Sequence, residues 1–164
     1  DSVASSLSRS KHSNIAPSTH SFHVVCYGDS LTAGISPPLK DRQPYGASLR
    51  MELNNIQKSL ETPKSGPLPP VVVTWRGLPG WTSQNMLKSL NDTRSGLQPF
   101  IRHNPTTPDV AVILVGTNDL GHKRSPGDII KDVVSLHRKC FEEGVRRTVA
   151  VGIPPSAWQV SNKA

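Results

Sequence analysis

The chain has 164 residues, a length that predicts one domain with a real hydrophobic core. Its net charge of +7 is scattered over Arg9, Lys11, Arg50, Lys64, Arg102, Lys123, Arg146 and others, and only 5% of its residues are aromatic. That pattern argues for a solvated basic surface and against a nucleic-acid partner, which needs a basic stripe interleaved with stacking rings; no apolar run is long enough to span a membrane.

Residues 1–21 are Ser-rich, poor in apolar residues and without periodicity, and predict a flexible leader; the folded domain is expected over 22–164. His23-Val24-Val25-Cys26-Tyr27 reads as a buried strand running straight into the small-residue turn Gly28-Asp29-Ser30. After Ile35-Ser36-Pro37-Pro38 and a polar stretch to Pro44, residues 45–60 place Leu49, Leu53, Ile56 and Leu60 on one face of a helix. Pro63 to Pro70 is a Pro/Gly loop. It and the stretch from Ile35 to Pro44 are expected to shape a pocket.

Val71-Val72-Val73-Thr74-Trp75 predicts the second strand, followed by Arg76-Gly77-Leu78-Pro79-Gly80-Trp81. Thr82 or Ser83 then caps a helix carrying Met86, Leu87, Leu90, Leu97 and Ile101, with a break expected near Gly96 and Pro99. Residues 110–115 are the strongest strand signal, ended by Gly116-Thr117-Asn118-Asp119. Ser125-Pro126-Gly127-Asp128 opens a helix that stops at Gly144, and residues 148–153 predict the fourth strand.

Apolar strands alternating with helices indicate a parallel sheet covered on both faces, an α/β fold. Cys26 and Cys140 fall inside predicted elements and are expected as buried free thiols. Asn91-Asp92-Thr93 is a glycosylation sequon, of consequence only in a secreted protein. Histidines do not cluster at metal-ligand spacing, so neither a metal nor another cofactor is expected.

In a parallel sheet the polar tetrads that end the first three strands lie on one edge, where open α/β sheets bind their ligands. A serine nucleophile needs a base, a group that orients the base, and donors for the oxyanion. Ser30 would supply the nucleophile, Gly80 a backbone donor and Asn118 an amide donor. Each also has a plain reading: Gly28-Asp29-Ser30 as a turn with a helix cap, Gly80 as a positive-φ position, and Asn118 as a turn residue bonded to its own backbone.

Gly28-Asp29-Ser30-Leu31 and Gly116-Thr117-Asn118-Asp119 resemble the first and third blocks of the SGNH, or GDSL, hydrolases. Gly77-Leu78-Pro79-Gly80-Trp81-Thr82-Ser83 looks like the second, and order and strand context agree over roughly residues 23–155. The resemblance implies a flavodoxin-like three-layer α/β/α fold and hydrolysis of a small-molecule ester, such as an acyl ester, an acetylated sugar or a lipid, through an acyl-enzyme. It makes Ser30 the nucleophile and an oxyanion donor, and Gly80 and Asn118 the rest of the oxyanion hole. Gly77 competes with Gly80, and Asp29 and Asp119 are carried as supporting residues. The Gly-x-Ser-x-Gly elbow of the α/β-hydrolases is absent.

The family pattern also places an Asp-x-x-His block after the last strand, and no such block follows the fourth strand here. The literal match Asp119-Leu120-Gly121-His122 belongs to the third-block loop and makes His122 the candidate base within these residues. A fragment of a longer esterase, with strand and helix missing at the C-terminus and a bare sheet edge beyond the fourth strand, is therefore the expectation. The alternative is a binding protein that keeps the pocket without turnover. Trp81 is read either as an acyl or sugar platform or as packing for its loop.

Overall fold

The computed structural model describes residues 21–35, 42–62 and 68–154. The expected leader, apart from Ser21, lies outside them, as do parts of the two pocket-shaping loops and the residues from Pro155 onward.

Among the described residues four strands form one parallel sheet: β1 (Phe22–Gly28), β2 (Val71–Gly77), β3 (Val110–Leu114) and β4 (Arg147–Ala150), in the order β2-β1-β3-β4. β1 is central because its run is apolar on both sides of the pleat, and alternate residues serve opposite faces. Val24 and Cys26, with Val73 and Val112, meet Tyr45, Leu49 and Leu53 of α1 (Tyr45–Leu60). Val25 and Tyr27, with Ala111 and Ile113, meet the other face's helices: α2 (Ser83–Lys88), α3 (Leu97–Arg102) and α5 (Pro126–Glu142). The result is three layers, α/β/α. Tyr27, Met86, Leu97, Ile113 and Leu136 are fully buried, and each such side chain stabilises the fold by roughly 1.5–3 kcal/mol. Cys26 and Cys140 are buried free thiols.

Three expectations are corrected in detail, whereas the break expected near Gly96 and Pro99 is present and leaves two short helices, α2 and α3. Their break precedes Gly96, where Asp92 Oδ1 accepts from Arg94 N, Ser95 N and the Ser95 hydroxyl in the intervening turn. Pro99 falls in the first turn of α3, where its missing N–H leaves no helical bond unmade. The tetrad Gly116 to Asp119 enters a helical turn, α4 (Thr117–Gly121), and is not simply a loop.

On α1, Leu49 and Leu53 pack on the sheet, but Ile56 and Leu60 are exposed. That end of the helix is tied down by the Gln57 amide, which donates to the carbonyls of Leu68 and Pro69. β4 is shorter than expected, with one further bond from Val151 N to the carbonyl of Ile113. Val149, Val151 and Ile153 on this edge are exposed among the described residues, as are Ile130, Val134 and Phe141 of α5.

Candidate active site

The parallel register sets the site. Gly28 at the end of β1 pairs with Gly77 on one side and Leu114 on the other, so three chain exits converge. Leu78 N donates to the Gly28 carbonyl at 2.8 Å, and Asp29 N to the Leu114 carbonyl at 3.2 Å. Gly28 has no room for a side chain: a Cβ would stand 2.1 Å from the Leu114 carbonyl oxygen and 2.3 Å from Thr32 Oγ1. The turn is closed from within by Leu31 N to Asp29 Oδ1 (3.0 Å), Ala33 N to the Asp29 carbonyl and Ile35 N to the Ser30 carbonyl. Ser30 is half-buried there, and its hydroxyl makes no hydrogen bond among the described residues.

The two second-block glycines differ physically. Gly77 is packed against the turn that holds Ser30, and a Cβ on it would lie 2.1 Å from Ala33 N. Gly80 is exposed at φ +78°, with nothing within 4 Å of where a Cβ would point. Trp81 N donates to the Leu78 carbonyl to close that turn, and the Trp81 ring packs against the core on the α2, α3 and α5 face. Thr82 caps α2 by accepting from Asn85 N at 3.2 Å.

Asn118 does not bond to its own backbone. Its side-chain amide donates to the Trp81 carbonyl at 2.9 Å, which joins the third block to the second. Gly116, at φ +123°, turns the chain from β3 into α4.

Asp119 and His122 do not form a pair. Asp119 is fully buried and its carboxylate is spent elsewhere: Oδ2 accepts from Ser83 N at 2.8 Å, and Oδ1 from the Ser83 hydroxyl at 2.7 Å and from Arg124 Nη1. Arg124 Nη2 meets Asp132 of α5 at 2.7 Å. His122 sits exposed at the C-terminal end of α4, and its ring makes no hydrogen bond among the described residues. The cluster of Ser83, Asp119, Arg124 and Asp132 has no signature in the sequence, because its members come from three helices and the loop between α4 and α5.

Asp29 is equally buried but poorly matched. Among the described residues Oδ2 has no hydrogen-bond partner of normal geometry, and neither do the buried hydroxyls of Thr32, Tyr45 and Thr117. Burial pushes the Asp29 carboxyl above the usual carboxylate range, against the pull of the Leu31 N–H and the Thr117 hydroxyl. Burial also raises the neighbouring Cys26 thiol to about 11 and raises the Tyr45 phenol. Among the described residues no group of three or more His, Cys, Asp or Glu side chains could hold a metal ion.

The sequence model of the GDSL-like Lipase/Acylhydrolase family matches residues 26–162. No curated protein sequence matches the chain. Among solved structures it is similar to AlinE4, an SGNH-hydrolase family esterase, at 19% identity and a TM-score of 0.62, covering 84% of this chain and 61% of that one. It is also similar to a lipase/acylhydrolase from Enterococcus faecalis (22% identity, TM-score 0.57, 86% of this chain and 62% of that one). TesA is a third (20%, 0.53, 85% and 67%). The chain thus spans less than two thirds of the length of the first two, with which it shares the SGNH-hydrolase fold. Through the match to residues 26–162 and the order of its three blocks, the chain belongs to the GDSL-like lipase/acylhydrolase family.

Proposed function

We propose that these residues carry the nucleophile and oxyanion hole of a serine ester hydrolase acting through an acyl-enzyme on Ser30. The observation that carries this is the tying of three loops at one sheet end: Leu78 to Gly28, Asp29 to Leu114, and Asn118 to Trp81. Family membership and the esterase fold neighbours support it.

In this reading Ser30 Oγ attacks the ester carbonyl as its proton passes to a general base. The tetrahedral intermediate then expels the alcohol, which takes that proton. Water, activated by the same base, releases the acid and restores Ser30. The oxyanion is met by Ser30 N–H, Gly80 N–H and the second N–H of the Asn118 amide, the first being committed to Trp81. The substrate class is a small acyl ester, an acetylated sugar or a lipid ester. Among the described residues no histidine is placed as that base. His122 is disfavoured because Asp119 is engaged by Ser83 and Arg124.

Hydrolysis of p-nitrophenyl acetate by the natural protein tests the reading. Ser30→Ala is expected to lower kcat/KM by about a thousandfold or more. An unchanged rate would remove Ser30 from the mechanism. Binding of an ester analogue without Ser30-dependent turnover would instead favour a binding protein.

A further inference from the structure

We propose that the network of Ser83, Asp119, Arg124 and Asp132 is a clamp that sets the Asn118 amide in place for the oxyanion, with Asp119 as a positioning residue acting through its neighbour. This rests on the reading of Asn118 as an oxyanion donor in the Ser30 reaction.

The helix that carries Asn118 is held by polar bonds. α4 is five residues long and, among the described residues, contributes one buried side chain, that of Asp119; Leu120 is exposed. A helix that short does not hold its own shape, so its place is set by the bonds that Asn118 and Asp119 make. These consecutive residues grip Trp81 and Ser83, on either side of the α2 cap Thr82. The Asn118 amide donates to the Trp81 carbonyl at 2.9 Å, and Asp119 Oδ2 accepts from Ser83 N at 2.8 Å. Two bonds from adjacent residues to points two residues apart fix both the distance and the rotation of α4 against this loop. Gly80 directly precedes the gripped stretch.

Arg124 ties the grip to a rigid frame. Its Nη1 donates to Asp119 Oδ1 and, at 3.0 Å, to the Ser83 hydroxyl, and its Nη2 meets Asp132 Oδ2 at 2.7 Å. The Ser83 hydroxyl donates in turn to Asp119 Oδ1 at 2.7 Å, with Asp132 Oδ2 at 3.3 Å from the same oxygen. Asp132 belongs to α5, which is 17 residues long and packed into the core through Leu136 and Cys140.

The chain bends sharply to deliver this guanidinium. Lys123, at φ +57°, is the one non-glycine in the left-handed region among the described residues. With Lys123 N on the Leu120 carbonyl at 2.9 Å and Arg124 N on the Asp119 carbonyl at 3.0 Å, it closes α4 and turns Arg124 back over it. Backbone strain therefore sits beside the residue that locks the clamp, held there by the bonds around it. Stability alone does not call for such a network, since a buried ion pair adds little over apolar side chains of the same volume. Directed, forked bonds instead hold a donor to the geometry an oxyanion demands, and a misplacement of about 1 Å costs on the order of a hundredfold in rate.

The test is a double-mutant cycle in the natural protein, read with p-nitrophenyl acetate and a melting curve for each variant. Asp119→Asn keeps the shape and an acceptor for Ser83 N but loses the charge that pairs with Arg124. It is expected to lower kcat by about tenfold or more, with KM within about twofold. In an Asn118→Ala background the same change is expected to cost less than about twofold, because the donor it places is already gone. A purely structural role would cost the same in both backgrounds. Ser83→Ala removes the hydroxyl and keeps the backbone N–H, so it should show the same coupling with a smaller loss; it carries the test if Asp119→Asn does not fold. Equal losses in both backgrounds, a loss confined to KM, or an unchanged kcat overturns the proposal. Turnover that depends on Asn118 but shows no coupling overturns the clamp alone, whereas turnover indifferent to Asn118→Ala overturns the reading of the oxyanion hole and the clamp with it.

Discussion

The Asn118 side-chain amide donates to the Trp81 carbonyl at 2.9 Å, binding the loop after β3 to the loop after β2. That bond fixes which way the amide's remaining N–H points. Asn118→Ala is expected to lower kcat/KM by about a hundred- to a thousandfold, mostly through kcat, because the lost donor acts on charge present only in the transition state. Steady-state kinetics beside a melting curve checks this, and a loss confined to KM would count against an oxyanion role.

Gly77 and Gly80 should fail in different ways. At Gly77 a methyl group meets backbone, 2.1 Å from Ala33 N, so Gly77→Ala is expected to lower Tm sharply. At Gly80 the space is open and only the positive φ is strained, a cost of about 1–2 kcal/mol. Gly80→Ala should remain folded and lose activity as its N–H is displaced. Melting and ester turnover on both variants separate the two positions.

Much of this was legible in the sequence, for reasons tied to particular residues. β1, β2 and β3 announce themselves as short apolar β-branched runs, and parallel pairing then obliges Ser30, Gly80 and Asn118 to share one sheet end. What stayed hidden depends on partners distant in the chain. Periodicity placed Ile56 and Leu60 on the apolar face of α1 without revealing that nothing among the described residues covers them. Asp119-Leu120-Gly121-His122 matched a catalytic spacing, yet the Asp119 carboxylate is consumed by Ser83, 36 positions away, and by Arg124. Burial of Asp29 with no cation beside it among the described residues is likewise a property of the assembled layers.

Among the described residues Arg124 is the one cation on the buried Asp119, and its removal leaves that charge unpaired. Arg124→Ala should lower Tm far more than Arg102→Ala, whose partner Glu143 is met by a side chain 59% exposed. Thermal melts of the two variants in the same buffer check the ranking. Equal small shifts would show the cluster to be unimportant.

The raised Asp29 carboxyl also makes stability depend on pH. Its folded pKa lies above the unfolded value near 3.8, so the folded state holds this proton more tightly. The stabilisation is complete below the unfolded pKa and is lost as pH rises through the folded one. Asp29→Asn never ionises, so its Tm relative to the natural protein should increase as pH is raised. A difference that stays flat with pH, or runs the other way, would contradict the assignment.

The most direct test of the central claim is covalent capture. The natural protein is incubated with a fluorophosphonate, which traps an activated serine, and the adduct is mapped by peptide mass. The account predicts a single adduct on Ser30 that disappears in Ser30→Ala. An adduct on another residue, or ester hydrolysis that proceeds with Ser30 unmodified, would contradict it.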